Sequence, residues 1–151
     1  MQKTGGSSLK KIEIPRVEVS AEASGDRPVA VVSSTRGITV EVSELPEFGG
    51  VPGKMTPLEL FLSGLASCEV FMFKMVADAL GAERSFKVAV STSGKFELGE
   101  GLVDLKMLVR VKGIERGLAE KIWSIVKAQC PIYSTLKKSV KNLDEELLVE
   151  P

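Results

Sequence analysis

The stretch Met55–Gly81, MTPLELFLSGLASCEVFMFKMVADALG, decides the fold. Thr56 is a good N-cap, and Pro57 occupies the first helical position, where its missing N–H costs nothing. Glu59 stands three residues after the cap and can close a capping box with it. Gly81 supplies a left-handed stop. At about 100° per residue, Leu58, Phe61, Leu62, Leu65, Met72, Val76 and Leu80 predict a broad apolar face, widened by Leu60, Phe71 and Met75. Ser63, Ser67, Lys74 and Asp78 share a narrow polar side. A helix this apolar is read as a central core helix. Glu59, Glu69, Lys74 and Asp78 interrupt it, which argues against a membrane span.

Working outward, the residues before this helix predict a β-meander. Ile12, Ile14, Val17, Val19 and Ala21 alternate with polar partners through Lys11–Ala23, broken at Pro15. Val29–Ser33 and Ile38–Val42 follow as short strands across turns at Ser24–Asp26 and Thr35–Gly37. A Gly/Pro-rich loop, Glu44–Lys54, leads into the helix. Beyond it, Phe86–Thr92 and Lys95–Leu98 form a strand with a break at Gly94. A turn at Glu100–Gly101 joins it to an alternating strand over Leu102–Lys112. Leu118–Gln129 and Pro131–Val140 predict two helices, and Leu147–Val149 a closing strand. The order βββ–α–ββ–αα–β gives an α+β fold of antiparallel strands around one helix. The expected organisation is a flexible segment over 1–10 and one domain over 11–151.

Composition narrows the function. The 151 residues are 44% apolar and 26% charged, with 20 basic and 20 acidic side chains. Zero net charge gives no electrostatic case for nucleic acid or an anionic membrane, and it favours self-association. No secretory leader is visible in MQKTGGSSLKK, so the expected location is cytoplasmic. Histidine is absent, which removes His-based catalysis and His-ligated metal. No cofactor or metal is expected. The two cysteines, Cys68 in the helix and Cys130 before Pro131, carry the remaining chemistry. Two cysteines in a cytosolic chain are commonly inert buried thiols, and that reading stands beside a redox one.

TPLELFLSGLASC (56–68) and QCPIYSTL (129–136), in this order of elements, resemble the OsmC/Ohr superfamily. The resemblance runs from about Val17 to the C terminus. It implies an intertwined homodimer, with antiparallel sheets wrapping two central helices and sites at the subunit interface. It further implies thiol-dependent reduction of organic hydroperoxides. Cys68 attacks the peroxide, Cys130 resolves the sulfenic acid as a disulfide, and a dithiol, lipoyl in the Ohr branch, restores the pair. The family sets an arginine from the meander beside the attacking cysteine, for which Arg27 and Arg36 are the candidates, Arg27 being the better match. Each also reads as an ordinary solvated turn residue. The Ohr glutamate that follows the helix-starting proline is replaced by Leu58, and Glu59, one position later, serves the cap.

Two further site residues carry more than one reading. Cys130 at a helix N-terminus is placed to gain thiolate stabilisation from the free N–H groups, or serves as a simple cap. Glu69 falls inside the apolar face, where a carboxylate needs a partner or a proton. It takes an acid/base role, pairs with a cation of the other subunit, or faces a wet spot in the dimer. An arginine, Arg27 or Arg36, in contact with both Glu69 and Cys68 is the expected partner. Outside the enzyme class, the alternatives are a non-enzymatic dimer whose apolar cleft binds a small hydrophobic ligand, and a protein whose thiols form only a structural disulfide.

Overall fold

The computed structural model describes residues 13–151, so the segment expected to be flexible lies outside the described residues. The chain divides into two compact units between Met55 and Thr56.

The first unit is the expected meander. Strands β1 (Val19–Ala23), β2 (Ala30–Ser34) and β3 (Thr39–Val42) pair antiparallel in that order. Of the strand expected over Lys11–Ala23, Lys11 and Ile12 lie outside the described residues, and among the described ones Val19–Ala23 is strand. The partner strand stops at Ser34, opposite Val19, because the chain turns there through Gly37 at φ 80°. The Gly/Pro-rich loop contains one 3-10 turn, Pro46–Phe48, and folds back on β3, where the Ser43 N–H donates to the Met55 carbonyl at 3.1 Å. The Ser43 hydroxyl donates to the Pro28 carbonyl and accepts from the Val51 N–H.

The second unit opens with helix α1 (Pro57–Ala79). Both halves of its capping box form: Glu59 N–H donates to Thr56 Oγ1 at 3.2 Å, and Thr56 N–H to Glu59 Oε2 at 2.7 Å. The other end closes as a Schellman motif, with Ala82 N–H on the Ala77 carbonyl, Gly81 N–H on Asp78, and Gly81 at φ 74°. Strands β4 (Lys87–Glu97) and β5 (Gly101–Lys112) form a long hairpin. The break expected at Gly94 is a bulge at Lys95/Phe96 inside one continuous strand. A Cβ at Gly94 would come within 2.7 Å of Leu102 Cδ1, so a larger residue there would make the Leu102 side chain shift.

Helices α2 (Arg116–Gln129) and α3 (Pro131–Ser139) lead to β6 (Asn142–Glu150). The sheet order is β4-β5-β6, and β6 runs parallel to β5, a departure from the all-antiparallel reading. The α2–α3 pair is the crossover that a parallel neighbour requires. Alternation in β6 is interrupted at an inward position by Glu145, which hid six of its nine residues from a hydrophobic pattern.

The core lies between this sheet and the helices. Strand β5 contributes Val103, Leu105, Met107, Val109 and Val111, and α2 contributes Ala119, Ile122, Trp123 and Val126. The buried row of α1 is Leu65, Glu69, Phe73 and Ala77, spaced by four. It is rotated from the expected face: Leu58, Phe61, Phe71, Met75 and Leu80 are exposed. A helix apolar on nearly every side has no unique face, so the wheel alone could not centre the stripe. The charge argument against a membrane span also fails by itself. A window of α1 has mean hydropathy 1.6, and the helix is long and apolar enough to cross a membrane. Its packing on β4, α2 and α3 identifies it as a core helix of this unit.

Candidate thiol site

Cys130 ends one helix and begins the next. Its N–H donates to the Val126 carbonyl at 2.8 Å, and its Sγ accepts from the Tyr133 N–H at 3.4 Å, capping α3 ahead of Pro131. Cys68 projects from the middle of α1, half-buried against the same core. The packing of α1 on α2 and α3 brings the two sulfurs to 3.2 Å, with the Cys130 thiol donating to Cys68 Sγ. Both are free thiols. The pair that the resemblance implied is therefore brought together, with Cys68 half-buried and Cys130 fully buried.

The N-terminal position does not yield a thiolate at Cys130. Burial pushes its pKa up to about 12, and the Tyr133 N–H, which favours the thiolate, does not offset that. Neighbouring Cys68 and Glu69 raise it further. At neutral pH Cys130 keeps its hydrogen.

Glu69 is 1% exposed, as the helical wheel required. Among the described residues, neither carboxyl oxygen has a hydrogen-bond partner, nor does the buried Trp123 indole N–H. Burial raises the Glu69 pKa. The Cys130 thiol and the Trp123 indole act against that rise from beside it, without reaching ordinary hydrogen-bond geometry. The cation acting on it within its unit is Lys127, opposed by Glu145.

Those last groups form a cluster that no motif announced. Glu145 accepts from the Tyr133 hydroxyl at 2.7 Å and from Lys127 Nζ at 2.8 Å. Lys127 also lies 4.0 Å from the centre of the Trp123 ring. The Tyr133 pKa is raised by burial and then by Glu145. The only available signals were the single Trp, the single Tyr and an acidic residue at an inward strand position.

The remaining candidates sit elsewhere. Glu59 is engaged in the cap, nine residues before Cys68, or roughly 13 Å along a helix rising 1.5 Å per residue. Arg27 and Arg36 are exposed in the two meander turns of the first unit. Within that unit, Arg27 acts weakly on Glu41, whose principal partner is Lys54 at 2.6 Å. Within the second unit, Leu58, Phe61, Phe96, Leu102 and Leu136 line an open apolar groove of about 550 Å³. Phe61 and Phe96 meet there edge to face, 6.1 Å apart.

The carboxyl of Glu69 makes a stability prediction. Its pKa is raised in the folded state, so the folded protein holds the proton over a range where the unfolded chain has lost it. Stability is then highest below the ordinary carboxylate range and falls as pH rises through the shifted value. Glu69→Gln removes the buried charge and is expected to stabilise by about 1–3 kcal/mol at neutral pH. The gain should vanish near pH 4 in urea melts of the reduced protein. A gain independent of pH would contradict the assignment.

A long helix on a mixed sheet, with a helix pair that sets a buried thiol against an accessible one, defines a two-thiol α+β protein. The chain belongs to the OsmC-like protein family, whose family model matches residues 50–142. An organic hydroperoxide resistance protein of Xanthomonas axonopodis pv. citri is 26% identical over 124 residues, covering 80% of this chain and 87% of that protein. The same fold is seen in the organic hydroperoxide resistance protein OsmC of Legionella pneumophila. The TM-score is 0.69 at 20% identity, over 93% of this chain and 100% of that one. It is seen again in the organic hydroperoxide resistance protein OhrB of Bacillus subtilis, with a TM-score of 0.63 at 18% identity over 89% and 98% of the two chains.

Proposed function

We propose that this protein is a thiol-dependent peroxidase that reduces organic hydroperoxides. The observation that carries the reading is the 3.2 Å approach of the sulfur of half-buried Cys68 to that of fully buried Cys130. The Cys68 thiolate attacks the distal peroxide oxygen, the O–O bond breaks, and the alcohol leaves after taking a proton. Cys68 is left as a sulfenic acid. Cys130 then forms the S–S bond with Cys68 as the S–O bond breaks, and water departs. A dithiol, such as a lipoyl group, returns the disulfide to two thiols by exchange, and a reducing cytoplasm is the compartment that supplies it. The meander cation for the Cys68 thiolate is Arg27 or Arg36, of the same or the partner subunit, and it also faces Glu69. The active form is a homodimer that covers the exposed side of α1.

Relatives named for organic hydroperoxide resistance support the substrate class. The reading is tested by following cumene hydroperoxide in the presence of dihydrolipoamide and catalytic amounts of protein. Repeated turnover is expected, and loss limited to the uncatalysed rate would overturn the proposal. A second reading, non-enzymatic binding of a small hydrophobic ligand, is favoured by the apolar groove beside Phe61 and Phe96. It predicts binding of an apolar fluorophore without hydroperoxide loss.

A further inference from the structure

Glu69 follows Cys68 directly in α1 and turns into the core, while Cys68 stays only half-buried. A carboxyl 1% exposed, with both oxygens unpartnered, is an unexplained cost unless its proton is used. The groups that act on it come from α2, the α2–α3 junction and β6. Cys130 stands at the α2–α3 junction, Trp123 and Lys127 on α2, and Glu145 on β6. The Tyr133 hydroxyl is committed to Glu145. The one neighbour whose hydrogen disappears during thiol chemistry is Cys130.

We propose that Glu69 is the proton acceptor for disulfide formation between Cys68 and Cys130, ionised in the dithiol state and protonated in the disulfide state. The inference rests on the reading above only in that the two thiols cycle between these states.

In the dithiol state the Cys130 S–H donates to Cys68 Sγ, and the Cys130 thiol, the Trp123 N–H and Lys127 act on Glu69 in favour of its charged form. When Cys130 Sγ bonds to Cys68 Sγ, the Cys68 S–O bond breaks and hydroxide leaves. The Cys130 proton passes to Glu69, and the hydroxide takes a proton from solvent to become water. The carboxyl has then lost the neighbouring thiol hydrogen that favoured its charged form, and at a buried position the neutral form is favoured. Reduction reverses the transfer: Glu69 returns its proton to the emerging Cys130 sulfur, which holds it firmly in this environment. A buried acid beside a buried thiol thus allows the inner sulfur to react without being exposed.

The test uses diamide, which oxidises a dithiol to a disulfide by taking both thiol hydrogens and needs no peroxidase activity. Fully reduced full-length protein is oxidised in weakly buffered solution near neutral pH, and proton uptake is read with a pH indicator. Wild type is expected to take up one more proton per disulfide than Glu69→Gln, with Glu69→Asp resembling wild type. Infrared difference spectra of the wild type should gain a protonated-carboxyl band on oxidation, and this band alone decides the matter if Glu69→Gln does not fold. Equal uptake in wild type and Glu69→Gln, absence of the band, or failure of diamide to link the two cysteines would overturn the inference. Proton uptake with diamide but no reaction with hydroperoxides would leave the inference standing and remove the peroxidase reading.

Discussion

Cys68→Ser is expected to abolish hydroperoxide consumption, whereas Cys130→Ser should complete one turnover and then stop as a sulfenic acid that dimedone traps. The division of roles follows from access and ionisation. Cys68 is half-buried on α1, and Cys130 is wholly buried. With its pKa pushed up to about 12 by burial, Cys130 holds its hydrogen at neutral pH. Since the thiolate is the nucleophile, Cys130 cannot compete for the first attack. Ser at position 130 keeps an oxygen acceptor for the Tyr133 N–H, so the α3 cap survives and the variant should fold. Equal rates of oxidation at the two positions, measured by peptide mass mapping, would contradict this order.

The second large effect is expected at the exposed side of α1. Only 28% of the most apolar window of this helix is buried within the chain, and Phe71 and Met75 are 66% and 62% exposed. Covering each such side chain contributes about 1.5–3 kcal/mol, and a two-fold contact counts every residue twice. Sedimentation of the native protein should therefore show twice the 16.2 kDa chain mass. Phe71→Glu should yield monomers, with a lower melting temperature that no longer depends on concentration. A native monomer at micromolar concentration would refute the proposed assembly.

How far the sequence could be read depended on whether each signal was local. Thr56, Pro57, Glu59 and Gly81 describe both ends of α1 because caps are built from neighbouring residues. The Cys68–Cys130 encounter was legible through the family resemblance, since nothing in either segment alone reports where the other lies. Leu65 and Glu69 were legible as inward positions, but the centring of the buried row on Leu65, Glu69, Phe73 and Ala77 was not, because only the positions of β4 and α2 choose a side of a uniformly apolar helix. Glu145 disguised β6, and its reason for facing inward lies on α2 and α3, in Lys127 and Tyr133. The expectation of a stabilised Cys130 thiolate weighed the helix terminus against a simple cap and not against burial. Burial, visible only in the folded chain, outweighs it.

The central claim is that Cys68 and Cys130 form one peroxide-driven redox pair. It is tested most directly by counting free thiols before and after one equivalent of cumene hydroperoxide is added to the fully reduced protein. The account predicts that both thiols of each chain are lost together and are recovered together with a dithiol, with peptide mapping placing the bond between Cys68 and Cys130. Two thiols remaining after the peroxide has been supplied, or a stable oxidised Cys68 beside an untouched Cys130, would contradict it.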